Sequence, residues 1–161
     1  SPVSGDPAGE VTVIEFFVYR CGFCQRVAGS VTQLQKDDAR VRIVYKDFPI
    51  LGAASVQAAK AALASRSQGH HQAFHEALFT AKGELTNEQI LQIAKDVGLD
   101  AQKLAADMEN PEWLAIIERN RALASDLGIT GTPAFVVGME LVPGAVDLTT
   151  LKDLVARART R

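Results

Sequence analysis

The spacing of apolar positions changes several times along this chain, and each change predicts an element. Val11-Thr12-Val13-Ile14-Glu15-Phe16-Phe17-Val18 is rich in β-branched and aromatic residues. Its apolar side chains fall on both faces, as in a central strand covered from both sides. From Gly22 to about Gln35 the period becomes helical, with Val27, Val31 and Leu34 on one face. Val41–Asp47 reads as a second strand, placed for a right-handed parallel crossover. Residues 1–10 hold Pro2, Gly5, Pro7 and Gly9 and read as a loose lead-in.

A long helical block follows. Ala53–Ser65 is Ala-rich and a strong helix former. His71–Ala81 and Asn87–Val97 are amphipathic; Thr86 is placed to cap the second, and Gly98 to close it. Asp100–Met108 and Glu112–Leu127 complete the block, with Pro111 at the start of the latter. Trp113, Ile116 and Ile117 share a helical face and read as core. Gly131-Thr132-Pro133 then breaks the pattern. Ala134–Val137 and Glu140–Val142 read as a hairpin around Gly138-Met139, and Leu148–Ala158 as a closing helix capped by Asp147. Arg157, Arg159 and Arg161 suit the negative end of its dipole. Gly29, inside the first helix, is read as a point of close packing.

Composition narrows the class. The chain has 161 residues, 47% of them hydrophobic and 22% charged, which fits one globular domain or one domain with an insertion and excludes disorder. A formal net charge of -2 argues against a nucleic-acid partner. No apolar run is long enough to span or insert into a membrane. The first residues have neither the basic region nor the apolar core of a signal peptide.

The chemistry concentrates at one point. Cys21 and Cys24 are the two cysteines of the chain, a single Cys-x-x-Cys at a strand–helix junction. A helix N-terminus presents unpaired N–H groups and partial positive charge, which favour a thiolate there. Cys21 is expected to be the exposed, attacking sulfur, supported by Arg20, and Cys24 the inner one. A zinc site is the alternative, with His71 and His75 as further ligands. Their distance from Cys24 far exceeds the roughly 12–15 residues of a finger. His70, His71 and His75 are therefore read as packing or solvent-facing. A copper(I) module, favoured by soft thiolates, is a further alternative.

Glu15 interrupts an otherwise apolar strand upstream of Cys21. Buried, it would stay protonated and could exchange a proton with the inner cysteine; at a strand end it would simply reach solvent. Pro133, after Gly131-Thr132, fits either a cis peptide in a tight turn or an ordinary trans turn.

Several segments together resemble the DsbA family of thiol-disulfide oxidoreductases, and within it the ScsC-like branch. They are Val13–Phe17, Cys21-Gly22-Phe23-Cys24, Tyr45–Gly52, Phe74–Leu78 and Gly128–Phe135. The likeness covers about residues 10–158. It implies an α/β thioredoxin fold with a helical insertion domain between the second strand and the cis-proline strand. The lead-in would be residues 1–10, the thioredoxin-like domain 11–50 and 128–161, and the inserted domain 51–127. It further implies Cys21 as nucleophile, Cys24 as resolving thiol, Glu15 as the buried acid and Pro133 as a cis-proline facing the pair. No bound cofactor and no metal are implied. Substrates would be cysteine-containing exported proteins, with a membrane redox partner to reoxidise the pair. The location would be periplasmic or exported, with the signal peptide outside this sequence.

Three departures qualify the resemblance. Gly22-Phe23 stands where the best-known oxidases have Pro-His, so no imidazole supports the thiolate. Thr132, not Val, precedes Pro133. A lysine that some members place near the buried acid has no counterpart; Val44 aligns near it, with Lys46 two residues on. The expected function is a disulfide oxidase; the alternative is an isomerase or reductase of ScsC or DsbC type. Phe23, Thr132 and Pro133 are expected to build a shallow substrate groove, with Phe48 and Pro49 on its margin.

Overall fold

The computed structural model describes residues 1–160; Arg161 lies outside them. Five strands form one mixed sheet in the order β1-β3-β2-β4-β5. They are β1 (Val3–Gly5), β2 (Val11–Phe17), β3 (Val41–Asp47), β4 (Ala134–Val137) and β5 (Glu140–Pro143). β2 and β3 are parallel and joined by α1 (Gly22–Asp37); every other pairing is antiparallel. Between β3 and β4 lie α2 (Ala53–Ala64), a 3-10 turn (Ser65–Gln68), α3 (His71–Thr80), α4 (Asn87–Asp96), α5 (Ala101–Asp107) and α6 (Glu112–Asp126). The chain closes with α7 (Leu148–Arg159).

The lead-in is more ordered than its composition implied. Val3–Gly5 pairs antiparallel with β3, Val3 opposite Val44. The pairing is made by backbone groups of an edge strand, which need no hydrophobic period and leave none to read.

Alternation divides the sheet into two packed faces. Val11, Val13 and Phe17 join Val41, Ile43 and Tyr45 in the main core, where Val27, Val31 and Leu34 of α1 and Leu151, Leu154 and Val155 of α7 meet them. On the other face Phe16 packs with Phe48, Ala124, Ile129 and Ala134. Ile116 and Ile117 form a smaller cluster with Ala59 and Leu63 of α2, and half-buried Trp113 lies against it.

Capping fixes where the helices begin and end. Thr86 and Gln89 form the reciprocal capping box of α4, and Asp147 accepts from Thr150 N–H at the start of α7. The end of α6 aims the loop that matters most. Gly128 adopts φ +74°, Gly128 N–H reaches Ser125 O at 3.1 Å, and Ile129 N–H reaches Ala124 O at 2.8 Å. Ile129 and Ala124 also share the apolar cluster, so the chain leaves α6 in one direction, toward Thr132-Pro133.

Asp47, at the end of β3, is a second buried acid that the pattern did not single out. It is 2% exposed, and its Oδ2 has no hydrogen-bond partner. Burial pushes its carboxyl up to about 8. Its carbonyl accepts from Asn120 Nδ2 at 2.8 Å, which ties α6 to the sheet.

A carboxyl whose folded pKa is raised contributes stability that is complete below the ordinary carboxylate range and is lost as pH rises through about 8. Asp47→Asn removes that titration. Between pH 5 and pH 8, the unfolding free energy of the parent is expected to fall by at least about 1 kcal/mol more than that of Asp47→Asn. Parallel denaturant titrations that fall equally would refute a neutral Asp47.

Candidate active site

Cys21 is the N-cap of α1, with extended backbone at φ -83° and ψ 117°. Its sulfur takes the place usually held by a hydroxyl or carboxylate oxygen and accepts the Cys24 N–H at 3.3 Å. No acidic residue occupies the first turn of the helix. Cys24 lies one turn in and is fully buried.

From the far end of the sequence, Thr132 comes down over the pair. The Thr132-Pro133 peptide is cis, and Cys21 Sγ–H donates to Thr132 O at 3.4 Å. This cover leaves Cys21 only 8% exposed, against the open thiol expected from its helix-end position. The cap turns the sulfur back toward the helix, and the loop closes over it.

The two thiols sit in opposite electrostatic environments. Burial alone would raise Cys21. Hydrogen bonds from the Thr132 and Cys24 side chains and from the backbone N–H groups of Cys24 and Phe23 outweigh it, and the thiol lies below its ordinary value. For Cys24, burial dominates and pushes the thiol far up. Arg20 is not among the groups that set Cys21; it lines a separate hollow with Leu51, Ala54 and Glu84.

Glu15 is 1% exposed, so the solvent-reaching alternative does not hold. It pairs in register with Tyr45 on one side and Phe135 on the other. Burial, followed by the charge of Cys21, raises its carboxyl to about 8. Its Oε2 is buried without a hydrogen-bond partner, and Glu15 lines a cleft of about 370 Å³ between α1 and α3. Tyr45, His75 and Phe79 form the buried side of this cleft; Gly29, Gln33, Lys36 and Glu76 form its exposed rim. A Cβ on Gly29 would meet nothing within 4 Å, so Gly29 marks open space rather than close packing. Lys36 is the one lysine lining the cleft, while Lys46 alternates to the other side of β3 from Tyr45.

His75 is buried in an aromatic cluster and bonds through Nδ1 to Tyr19 Oη at 2.8 Å. Its ring stacks on His71 at 5.6 Å, and burial lowers both, His71 to about 4, so both are neutral at pH 7. Among the described residues, no group of three or more His, Cys, Asp or Glu is placed to hold a metal ion. The Tyr19–His75 contact joins α3 to the segment just before Cys21. Nothing in the spacing of the two residues announces it, because only the fold brings them together.

Beside Cys21 a groove of about 620 Å³ runs between the start of α1 and the loop ahead of β4. Phe23, 56% exposed, forms one wall; Ile129, Thr132 and Pro133 form the other, with Leu141 and Pro143 beyond. Phe48 and Pro49 do not line it. Phe48 turns inward to pack edge-on against Phe16 at 6.3 Å, the two rings meeting on the α6 face of the sheet. Arg26, one turn after Phe23, also lines the groove, with its guanidinium 4.3 Å from the Phe23 ring centroid. The i, i+3 spacing of Phe23 and Arg26 is the sequence signal that could have found it.

Similarity to known proteins agrees with this geometry. A thioredoxin-like oxidoreductase from Silicibacter pomeroyi DSS-3 superposes with a TM-score of 0.96 at 49% identity, covering 99% of this chain and 92% of that one. The thiol-disulfide exchange protein alpha-DsbA2 from Wolbachia pipientis superposes with a TM-score of 0.92 at 34% identity, covering 97% and 86%. The Na(+)/H(+) antiporter NhaA of Herminiimonas arsenicoxydans is 27% identical over 98% of this chain but only 25% of its own length. The chain thus spans about a quarter of the antiporters it matches. The description of a DSBA-like thioredoxin domain fits residues 12–156. With its fold, its Cys-x-x-Cys cap and its cis-proline loop, the chain belongs to the DSBA-like thioredoxin family.

Proposed function

We propose that this chain oxidises thiols of exported, cysteine-containing proteins by dithiol–disulfide exchange at Cys21 and Cys24. The observation that carries the reading is the contrast within the pair. One sulfur is held at a helix N-terminus and favoured as thiolate; the other is fully buried and favoured as thiol.

In the oxidising half-reaction a substrate thiolate attacks Cys21 of the Cys21–Cys24 disulfide. The sulfur–sulfur bond between the two breaks, a mixed disulfide forms, and Cys24 leaves as thiolate. Glu15, protonated at neutral pH, is the proton donor for that buried sulfur. Glu15 itself is shielded from water, and the cleft that it lines is the route by which its proton is replaced. A second substrate thiolate attacks the substrate sulfur of the mixed disulfide and expels Cys21 as thiolate, its favoured form. The substrate is oxidised by two electrons and the pair is reduced. A membrane redox partner would then remove the electrons, in a periplasmic or comparable exported location. Residues 51–127 act as the inserted domain that carries His75 and α6 to the site.

The substrate lies extended in the groove beside Phe23, Thr132 and Pro133. The Pro133 carbonyl is taken by Gly144 N–H at 2.8 Å; the backbone offered to a substrate strand is that of Thr132, whose carbonyl the Cys21 thiol releases on entering the disulfide.

Three measurements test this reading. Cys24→Ser is expected to accumulate mixed disulfides with reduced, unfolded protein, and Cys21→Ser to form none; equal trapping seen by mass spectrometry would overturn the roles. The reduction potential, read from equilibrium with glutathione, is expected above thioredoxin's roughly -270 mV and below the roughly -120 mV of DsbA, because Gly22-Phe23 brings no imidazole. A value at or below thioredoxin's would move the chain to the reductase alternative. Thermal unfolding of the two redox forms supplies the third. A lowered thiol contributes stability to the reduced form that is present above the ordinary thiol value and is lost as pH falls through the folded one. The advantage of the reduced over the oxidised form is therefore expected to be larger near the ordinary thiol value of about 8.5 than well below it, at about pH 4. A difference that ignores pH would contradict a stabilised Cys21 thiolate.

A further inference from the structure

The groove carries one charge. Its lining is otherwise built from Phe23, Ile129, Pro133, Leu141, Pro143 and small or hydroxyl residues; Arg26 is its one ionised side chain, and no carboxylate lines it. Arg26 makes no ion pair among the described residues. Its guanidinium instead lies over the Phe23 ring, 4.3 Å from the centroid. That contact limits where the long side chain can swing and leaves the guanidinium's N–H donors without a carboxylate.

Arg26 follows the first turn of α1, and that turn holds no carboxylate to pair with it. The molecule as a whole does not share the sign of Arg26, since its formal net charge is -2. The groove therefore presents a local positive site on a weakly negative protein, next to the sulfur that receives substrate.

Resting on the exchange reading above, we propose that Arg26 is a specificity-determining residue that selects substrate segments with an acidic side chain close to the reacting cysteine. The apolar walls accept the neighbouring uncharged residues. A carboxylate pairs with the Arg26 guanidinium, whereas a lysine or arginine at the same place meets a like charge.

The test uses three capped peptides that share one dithiol sequence and differ by Glu, Gln or Lys beside the first cysteine. Each is oxidised by the intact disulfide form of the chain at low salt, and the second-order rate constant is read. Neighbouring charge also alters the reactivity of the peptide thiol itself. The informative quantity is thus the Glu-to-Lys rate ratio compared between protein variants, in which that intrinsic effect cancels. An exposed ion pair is worth a factor of about two to five. The ratio is accordingly expected to fall about two- to fivefold in Arg26→Gln and further in Arg26→Glu. In the parent chain the preference is expected to shrink as salt is raised. Lys95→Glu, which changes net charge equally on α4, is expected to leave the ratio in place. An equal ratio in the parent and in Arg26→Glu, or an equal fall in Lys95→Glu, overturns the assignment to Arg26 while leaving the exchange reading intact. A parent chain that oxidises none of the three peptides overturns that reading, and this one with it.

Discussion

The site depends on a sulfur serving as a helix cap. The first N–H groups of an α-helix need acceptors from outside the helix. At the start of α1 the side-chain acceptor is Cys21, which takes the N–H of Cys24. One contact thus does three things. It starts the helix, it sets the two sulfurs one turn apart, and it places Cys21 at the positive end of the helix dipole. The strand that delivers Cys21 and the loop that covers it come from opposite ends of the sequence, and each is anchored by ordinary means. β2 is paired on both sides within the sheet, and the loop leaves α6 through the bonds of Gly128 and Ile129.

Two carboxyls sit inside the molecule without full hydrogen bonding. Burying an ionised carboxylate is costly, and the structure meets the cost by holding Glu15 and Asp47 near a pKa of 8. The two differ in their surroundings. Asp47 is enclosed at the end of β3, where its carbonyl anchors Asn120. Glu15 faces a cleft and feels the charge of Cys21. The same physical expense therefore serves the frame at one position and the chemistry of the pair at the other.

Much of this was legible in the chain. The strand–helix–strand opening, the Cys-x-x-Cys at its junction and the run of helices each leave a hydrophobic period or a capping residue. Helix ends moved by only a residue or two, as at Asn87–Asp96 and Glu112–Asp126. The resemblance, not the spacing, argued for the cis peptide before Pro133, since proline turns are mostly trans. The rest depended on tertiary placement. β1 is held by backbone pairing, which no side-chain pattern records. The cover on Cys21 comes from Thr132, far along the chain. Phe48 was expected at the groove and instead packs with Phe16, because odd and even positions of β2 serve opposite faces of the sheet. Gly29 had no packing partner to find: its lack of a side chain leaves space, and space is visible only once α3 is in place.

The groove and the cleft share no residue, although both border α1. Phe23 and Arg26 face one way; Gln25, Gly29 and Lys36 face the other. On the proposed mechanism, thiols and protons then reach the pair through separate doors. A polypeptide lying along the groove would not seal the carboxyl behind it, so protonation need not wait for the product to depart. The order of events would be set by sulfur alone, and an occupied molecule would remain in equilibrium with the acidity of its surroundings throughout turnover.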